Sequence, residues 1–142
     1  MASILIRNCS IIDGAGTPRY SSNILVENDK IQAIGELCNV TAETIIDADG
    51  LICSPGFIDT HTHSDGILLT EPQHANALRQ GVTTEILGQD GLSYAPLSKE
   101  KYLDNRTYLS GILGLPPAHL DMSSIESFRT HYHEKVAINT AY

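Results

Sequence analysis

The period of apolar and polar positions changes twice along the chain. Residues 3–6, 22–27, 30–34 and 44–47 are short β-favouring runs, separated by the turn dipeptides Asp13-Gly14, Asn28-Asp29 and Asp49-Gly50, a pattern that predicts strands and tight turns. Residues 51–58 then form a nearly unbroken apolar run, as expected of a strand covered on both faces in a parallel sheet. After Asp65 the pattern becomes an alternation of helix and strand. Thr70-Glu71-Pro72-Gln73 reads as a capping box with an early proline, Ala75 and Leu78 supply a modest apolar face, and Gly81 is placed to end that helix. Residues 82–88 read as a second strand. Ser98 is placed to cap a helix whose stripe of Tyr102, Leu103, Leu109, Ile112 and Leu113 stops at Gly114 and Pro116-Pro117. A second capping box, Ser123-Ser124-Ile125-Glu126, opens a helix over 124–133, and residues 136–142 begin a third strand. Such alternation predicts βαβ units around a parallel sheet, an α/β fold class.

Chemistry concentrates just past the long apolar run. In Pro55-Gly56-Phe57-Ile58-Asp59-Thr60-His61-Thr62-His63-Ser64-Asp65 two imidazoles stand two residues apart, and on extended backbone such side chains share one side. His61 and His63 are therefore placed to grip one cation. The pair His131 and His133 has the same spacing but falls in the predicted helix, where residues two apart diverge by about 200°. Those two are expected to be solvated, and His74 and His119 stand alone. Asp59, in phase with His61 and His63, is a candidate partner for a histidine ring, and Asp65 is expected to orient a neighbour.

Composition narrows the partners. The 142 residues carry a formal charge of -8, which disfavours nucleic acid and anionic membrane. No apolar run approaches a membrane span and the N-terminus lacks the regions of a secretory signal, so a cytoplasmic location is the expectation. Cys9, Cys38 and Cys53 are odd in number and lack Cys-x-x-Cys spacing, so no disulfide framework is expected. Cys53 reads as a small buried hydrophobe on the long apolar strand. Gly14-Ala15-Gly16 is followed by Pro18 and no helix, which excludes a nucleotide-binding loop.

The 55–65 segment resembles the first barrel strand of the amidohydrolase superfamily, and 81–96, Gly81-Val82-Thr83-Thr84-Glu85-Ile86-Leu87-Gly88-Gln89-Asp90-Gly91-Leu92-Ser93-Tyr94-Ala95-Pro96, resembles the second strand of its D-aminoacylase (N-acyl-D-amino-acid deacylase) branch. The resemblance implies the N-terminal part of a metal-dependent (β/α)8 TIM barrel, about three strands, over residues 53–142, preceded by part of a small β-sandwich over 1–52. It implies hydrolysis of N-acyl-D-amino acids to a carboxylate and a D-amino acid, with one or two divalent ions, zinc foremost. D-aminoacylases typically carry Gly-Asn-Cys-Gly where this chain has Gly88-Gln89-Asp90-Gly91, so Asp90 occupies a metal-binding cysteine's position. The metal ligands implied are His61, His63 and Asp90. The other reading of Asp90 is an Asp-Gly turn after the strand. A complete barrel needs roughly 250 residues, so the general-base aspartate and later histidines of the family are expected beyond Tyr142. The fragment is expected to be inactive and poorly soluble alone, and its oligomeric state leaves no trace in the sequence. Two further readings stay open: a cyclic-amide hydrolase of the hydantoinase or dihydroorotase type, and a non-catalytic amidohydrolase-like binding module.

Overall fold

The computed structural model describes residues 2–142, which divide into two compact units at the Pro55-Gly56 junction. The first unit is a five-stranded sheet made of β1 (Ser3–Ile11), β2 (Tyr20–Glu27), β3 (Lys30–Gly35), β4 (Thr44–Asp47) and β5 (Ile52–Cys53). β1 is central: it pairs antiparallel with β2 and parallel with β4 and then β5. It runs five residues beyond the expected end because an irregularity between Ile6 and Cys9 absorbs the polar Asn8. Asn8 adopts φ 61° there, its amide donates to Asn23 Oδ1 at 3.1 Å, and its side chain donates to Asp47 Oδ1 at 3.0 Å. Asparagine tolerates this left-handed geometry better than most residues. Cys9, Ile11, Ile24 and Ala48 form the small core, with Ile6, Val26 and Cys53 packed against it.

The long apolar run is two strands rather than one. Ser54-Pro55-Gly56 interrupts it, and Pro55 has no N–H to donate to a ladder. Cys53 therefore lies on β5 of the first sheet, partly buried and apart from the second unit's parallel sheet; burial, followed by the adjacent Cys9 thiol, pushes its own thiol pKa up.

The second unit holds a parallel sheet, β6 (Phe57–Asp59), β7 (Val82–Ile86) and β8 (Asn139–Ala141), in that order. Between β6 and β7 lie two single-turn helices, α1 (Ile67–Thr70) and α2 (Ala75–Leu78). The expected capping box at Thr70 does not form. Thr70 ends α1, with its hydroxyl donating to the Ile67 carbonyl at 3.0 Å. Glu71, disfavoured from helical geometry by the following proline, sits at φ -125° and ψ 68°. α3 (Lys99–Tyr108) starts where Ser98 accepts from the Lys101 amide, and α5 (Ile125–Thr130) starts where Ser124 accepts from the Ser127 amide. The helix expected after Ser98 breaks at Leu109 before α4 (Ser110–Leu113), which leaves Leu103 and Ile112 exposed while Tyr102, Leu109 and Leu113 are buried. α5 ends at Thr130, so His131 and His133 lie on turns. His131 Nε2 sits 2.8 Å from the Asp121 carbonyl, while His133 is solvent-facing.

Three tyrosines anchor this unit's core. Tyr94, Tyr102 and Tyr132 are fully buried, and each hydroxyl donates to a loop carbonyl, of Gly114 (2.6 Å), Pro117 (2.6 Å) and Asp65 (2.5 Å) respectively. Two close approaches depend on glycine. Gly66 donates to the Leu113 carbonyl at 2.6 Å, and a Cβ at Gly66 would stand 2.6 Å from that oxygen; a Cβ at Gly114, φ 84°, would stand 2.6 Å from the Ile67 nitrogen. At the β6–β7 seam Phe57 pairs with Val82 but Ile58 with Thr84, so Thr83 is an extra residue. A Cβ at Gly56 would fall 2.0 Å from Thr83 Oγ1, and the Thr83 carbonyl accepts from Asn139 Nδ2 at 3.1 Å. Among the described residues no helix is long and apolar enough to cross a membrane.

Candidate metal centre

β6 ends at Asp59, so His61 and His63 stand on the loop just beyond it rather than on the strand. They still converge. Their ring centroids are 5.4 Å apart at 83°, and Thr62 between them is turned away, its buried hydroxyl donating to the Ile86 carbonyl of β7 at 3.2 Å. Asp59 does not reach a ring; its Oδ1 accepts the His61 backbone amide at 3.2 Å, which shapes the turn.

The third member comes from the neighbouring strand. After β7, a short 3-10 turn over Gln89–Gly91 is bracketed by Gly88 at φ 74° and Gly91 at φ 72°, with Asp90 itself at φ 59°. This left-handed run is tolerable for Asp and Gly and tips the Asp90 carboxylate back toward the first loop. Asp90 Oδ2 lies 3.0 Å from His61 Nε2 and 3.4 Å from His63 Nε2. Asp90 is in the Asp-Gly turn, and that turn aims its carboxylate at the imidazoles. The ring of Tyr142, beside β8, covers Gly88, leaving no room for a Cβ, and its hydroxyl lies 2.6 Å from the Ala95 carbonyl, so the third strand helps to hold the second strand's loop.

The side-chain atoms of His61, His63 and Asp90 that could ligate an ion all lie within 4.8 Å of one another, and this is the one such group of three among the described residues. In a tetrahedral zinc site with bonds of 2.0–2.2 Å, ligand atoms stand roughly 3.4 Å apart, which the 3.0 and 3.4 Å separations from Asp90 to the two rings match. Two imidazole nitrogens and a carboxylate oxygen are a donor set that zinc takes readily.

Beneath this cluster is a layer of buried polar groups that sequence reasoning underrated. Asp65 is 0% exposed. Burial raises its carboxyl to about 6, partly opposed by the Gly88 amide, its own amide and His63, and reinforced by the charge of Glu85. Glu85, 3% exposed on β7, meets His74 across 2.9 Å. His74, read from sequence as a lone histidine, precedes α2 at φ 41°. The available signal was Glu85 itself, a charged residue inside an otherwise apolar and threonine-rich strand.

Residues 44–141 match the amidohydrolase family. The chain is 40% identical over 100 residues to the N-acyl-D-aspartate deacylase of Alcaligenes xylosoxydans xylosoxydans, covering 70% of this chain and 20% of that protein. It is 38% identical over 119 residues to the D-aminoacylase of the same organism, covering 84% of this chain and 22% of that one. Among solved structures, the N-acyl-D-glutamate deacylase of Bordetella bronchiseptica, complexed with zinc and a phosphonate mimic of the reaction's tetrahedral intermediate, superposes with a TM-score of 0.78 at 31% identity, over 97% of this chain and 28% of that one. The chain thus spans about a fifth of the length of these curated relatives. With a match that takes in the loops of His61, His63 and Asp90 and the parallel sheet between them, the chain belongs to the amidohydrolase family.

Proposed function

We propose that this chain is the N-terminal part of a metal-dependent amide hydrolase that converts N-acyl-D-amino acids to a carboxylate and a D-amino acid. His61, His63 and Asp90 hold a divalent ion, zinc foremost. On this reading β6, β7 and β8 are the first three strands of a (β/α)8 barrel, and the sheet before Pro55 is part of a small β-sandwich. The observation that carries the proposal is the meeting of two imidazole nitrogens and a carboxylate oxygen within 4.8 Å, from loops that follow adjacent parallel strands. Functional groups of such barrels gather where strands end at their C-terminal edge. The substrate class is supported by the relatives, three of which are named as deacylases or aminoacylases of D-amino acids.

When bound, a divalent ion supplies Lewis acidity toward an amide carbonyl and brings the pKa of a bound water to about 7. The chain's own part is placement and charge. Asp90 contributes the one negative charge of the cluster, and the two histidines present Nε2 toward it.

The test is made on the gene product at the length its gene encodes, loaded with zinc and offered N-acetyl-D-amino acids, their L-enantiomers and hydantoins. Turnover confined to the D-series is expected, with loss of both bound metal and activity in His61→Ala and Asp90→Ala. Turnover of hydantoins alone would overturn the substrate assignment, and metal content unchanged in both variants would remove these residues from the centre.

A further inference from the structure

We propose that Asp65 is a positioning residue for this centre: its carboxylate is the acceptor, through one water or a small rotation of its side chain, for the His63 Nδ1–H. The inference rests on the reading of His61, His63 and Asp90 as the centre.

Among the described residues, four buried side-chain polar atoms lack a hydrogen-bond partner: His63 Nδ1, both carboxylate oxygens of Asp65, and Glu85 Oε2. A donor and an acceptor are thus left over two residues apart in the same loop. When His63 uses Nε2 as a ligand atom its proton resides on Nδ1, and ligating histidines generally pass that proton to a carboxylate or carbonyl, which fixes the ring and raises its basicity. Asp65 cannot easily turn to solvent instead. Its carbonyl is held by the Tyr132 hydroxyl at 2.5 Å, Ser64 before it accepts from the Leu68 amide at 3.0 Å, and Gly66 after it donates to Leu113 at 2.6 Å. The Gly88 amide, two residues before Asp90, and the His63 ring both lie near enough to favour the charged form of the Asp65 carboxyl without a hydrogen bond to either oxygen. One buried carboxylate therefore adjoins both ligand-bearing loops. Glu85 is equally buried but spends Oε1 on His74, which makes it the natural control.

Zinc affinity of the gene product at its encoded length is measured by competition with a chromophoric chelator, alongside the ligand-field absorption of the Co2+-loaded protein. Asp65→Asn, which keeps one weaker acceptor, is expected to bind zinc about 10-fold more weakly and Asp65→Leu between about 10- and 100-fold more weakly. Both are expected to shift the Co2+ bands, with Glu85→Gln unchanged in both readouts. If Asp65→Leu fails to fold, the affinity and Co2+ spectrum of Asp65→Asn decide. Wild-type affinity and spectrum in the Asp65 variants, with His61→Ala losing zinc, would overturn the role of Asp65 and leave the centre standing. Equal losses in Glu85→Gln would reduce Asp65 to generic burial of charge. Retention of zinc by His61→Ala as well would bring down the reading of the centre itself.

Discussion

His74 and Glu85 depend on each other. Removing the imidazole leaves a carboxylate that is 3% exposed with neither oxygen partnered, so His74→Ala is expected to cost about 3 kcal/mol, as for other broken buried pairs. The double variant His74→Leu/Glu85→Leu should recover most of that loss, because the desolvation penalty goes with the charges. Urea unfolding of the three proteins checks both statements, and an equal loss in the single and double variants would contradict them. The buried tyrosines give a pH dependence. Burial pushes Tyr94 up to about 12 and raises Tyr102 and Tyr132 from the ordinary 10. Their neutral forms are favoured by the fold, so their contribution is fully present below pH 10 and is lost as pH rises from 10 through about 12. A tyrosinate absorbance titration should show these groups ionising together with unfolding. At this scale the sequence was informative where spacing encodes geometry: His61 and His63 converge, although the strand that motivated the argument stops at Asp59. It offered Asp65 as a residue that orients a neighbour but was silent on its burial, because the Tyr132 hydroxyl that holds its carbonyl lies sixty-seven positions away.

Helix starts were legible and helix lengths were not. Ser98 and the Ser123-Ser124 pair marked the starts of α3 and α5 because a hydroxyl that can accept from an amide two or three positions on is a local signal. Each of Ser98→Ala and Ser124→Ala is expected to cost about 1 kcal/mol, read from thermal or urea unfolding. The breaks at Glu71, Leu109 and Thr130 answer to tertiary packing, except for Glu71, where the following proline could have been weighed above the capping box. The Gly66 and Gly114 contact joins α1 to α4 backbone to backbone, so no side chain can move aside to relieve a Cβ. Gly66→Ala and Gly114→Ala are each expected to destabilise by about 2 kcal/mol or more, the second also through its φ of 84°. A neutral effect at both would mean that the two helices sit further apart than described.

Across the whole molecule, apolar surface is left uncovered on each unit taken separately. Ile31, Ile45, Leu51 and Ile52 of the first are between half and two-thirds exposed, and Phe57 and Ile58 of the second are 63% and 62% exposed. The outer strands of the parallel sheet also present unpaired backbone edges, a template for association. The isolated 142 residues are therefore expected to bind a hydrophobic dye and to self-associate in sedimentation velocity. A monomer with a sharp cooperative melt and no dye binding would count against this. The alternation of helix and strand after Asp65 made the parallel sheet readable, whereas the break at Ser54-Pro55-Gly56 was masked by the apolar residues on either side. The extra residue at Thr83 reaches beyond its own strand. Because β7 gains one position there relative to β6, the distance from Val82 to Asp90 is one residue longer than straight pairing would need. Gly56 clears the space and Asn139 satisfies the displaced carbonyl. A related chain without that trio must drop one position between the two points to bring its own ligand to the same height, so an alignment gap belongs at Thr83 and not in the loop. Excising Thr83 from this chain would leave Ile58 opposite Thr84 and Asp59 opposite Glu85, so Glu85 would still meet His74 and Asp90 would still reach the histidines.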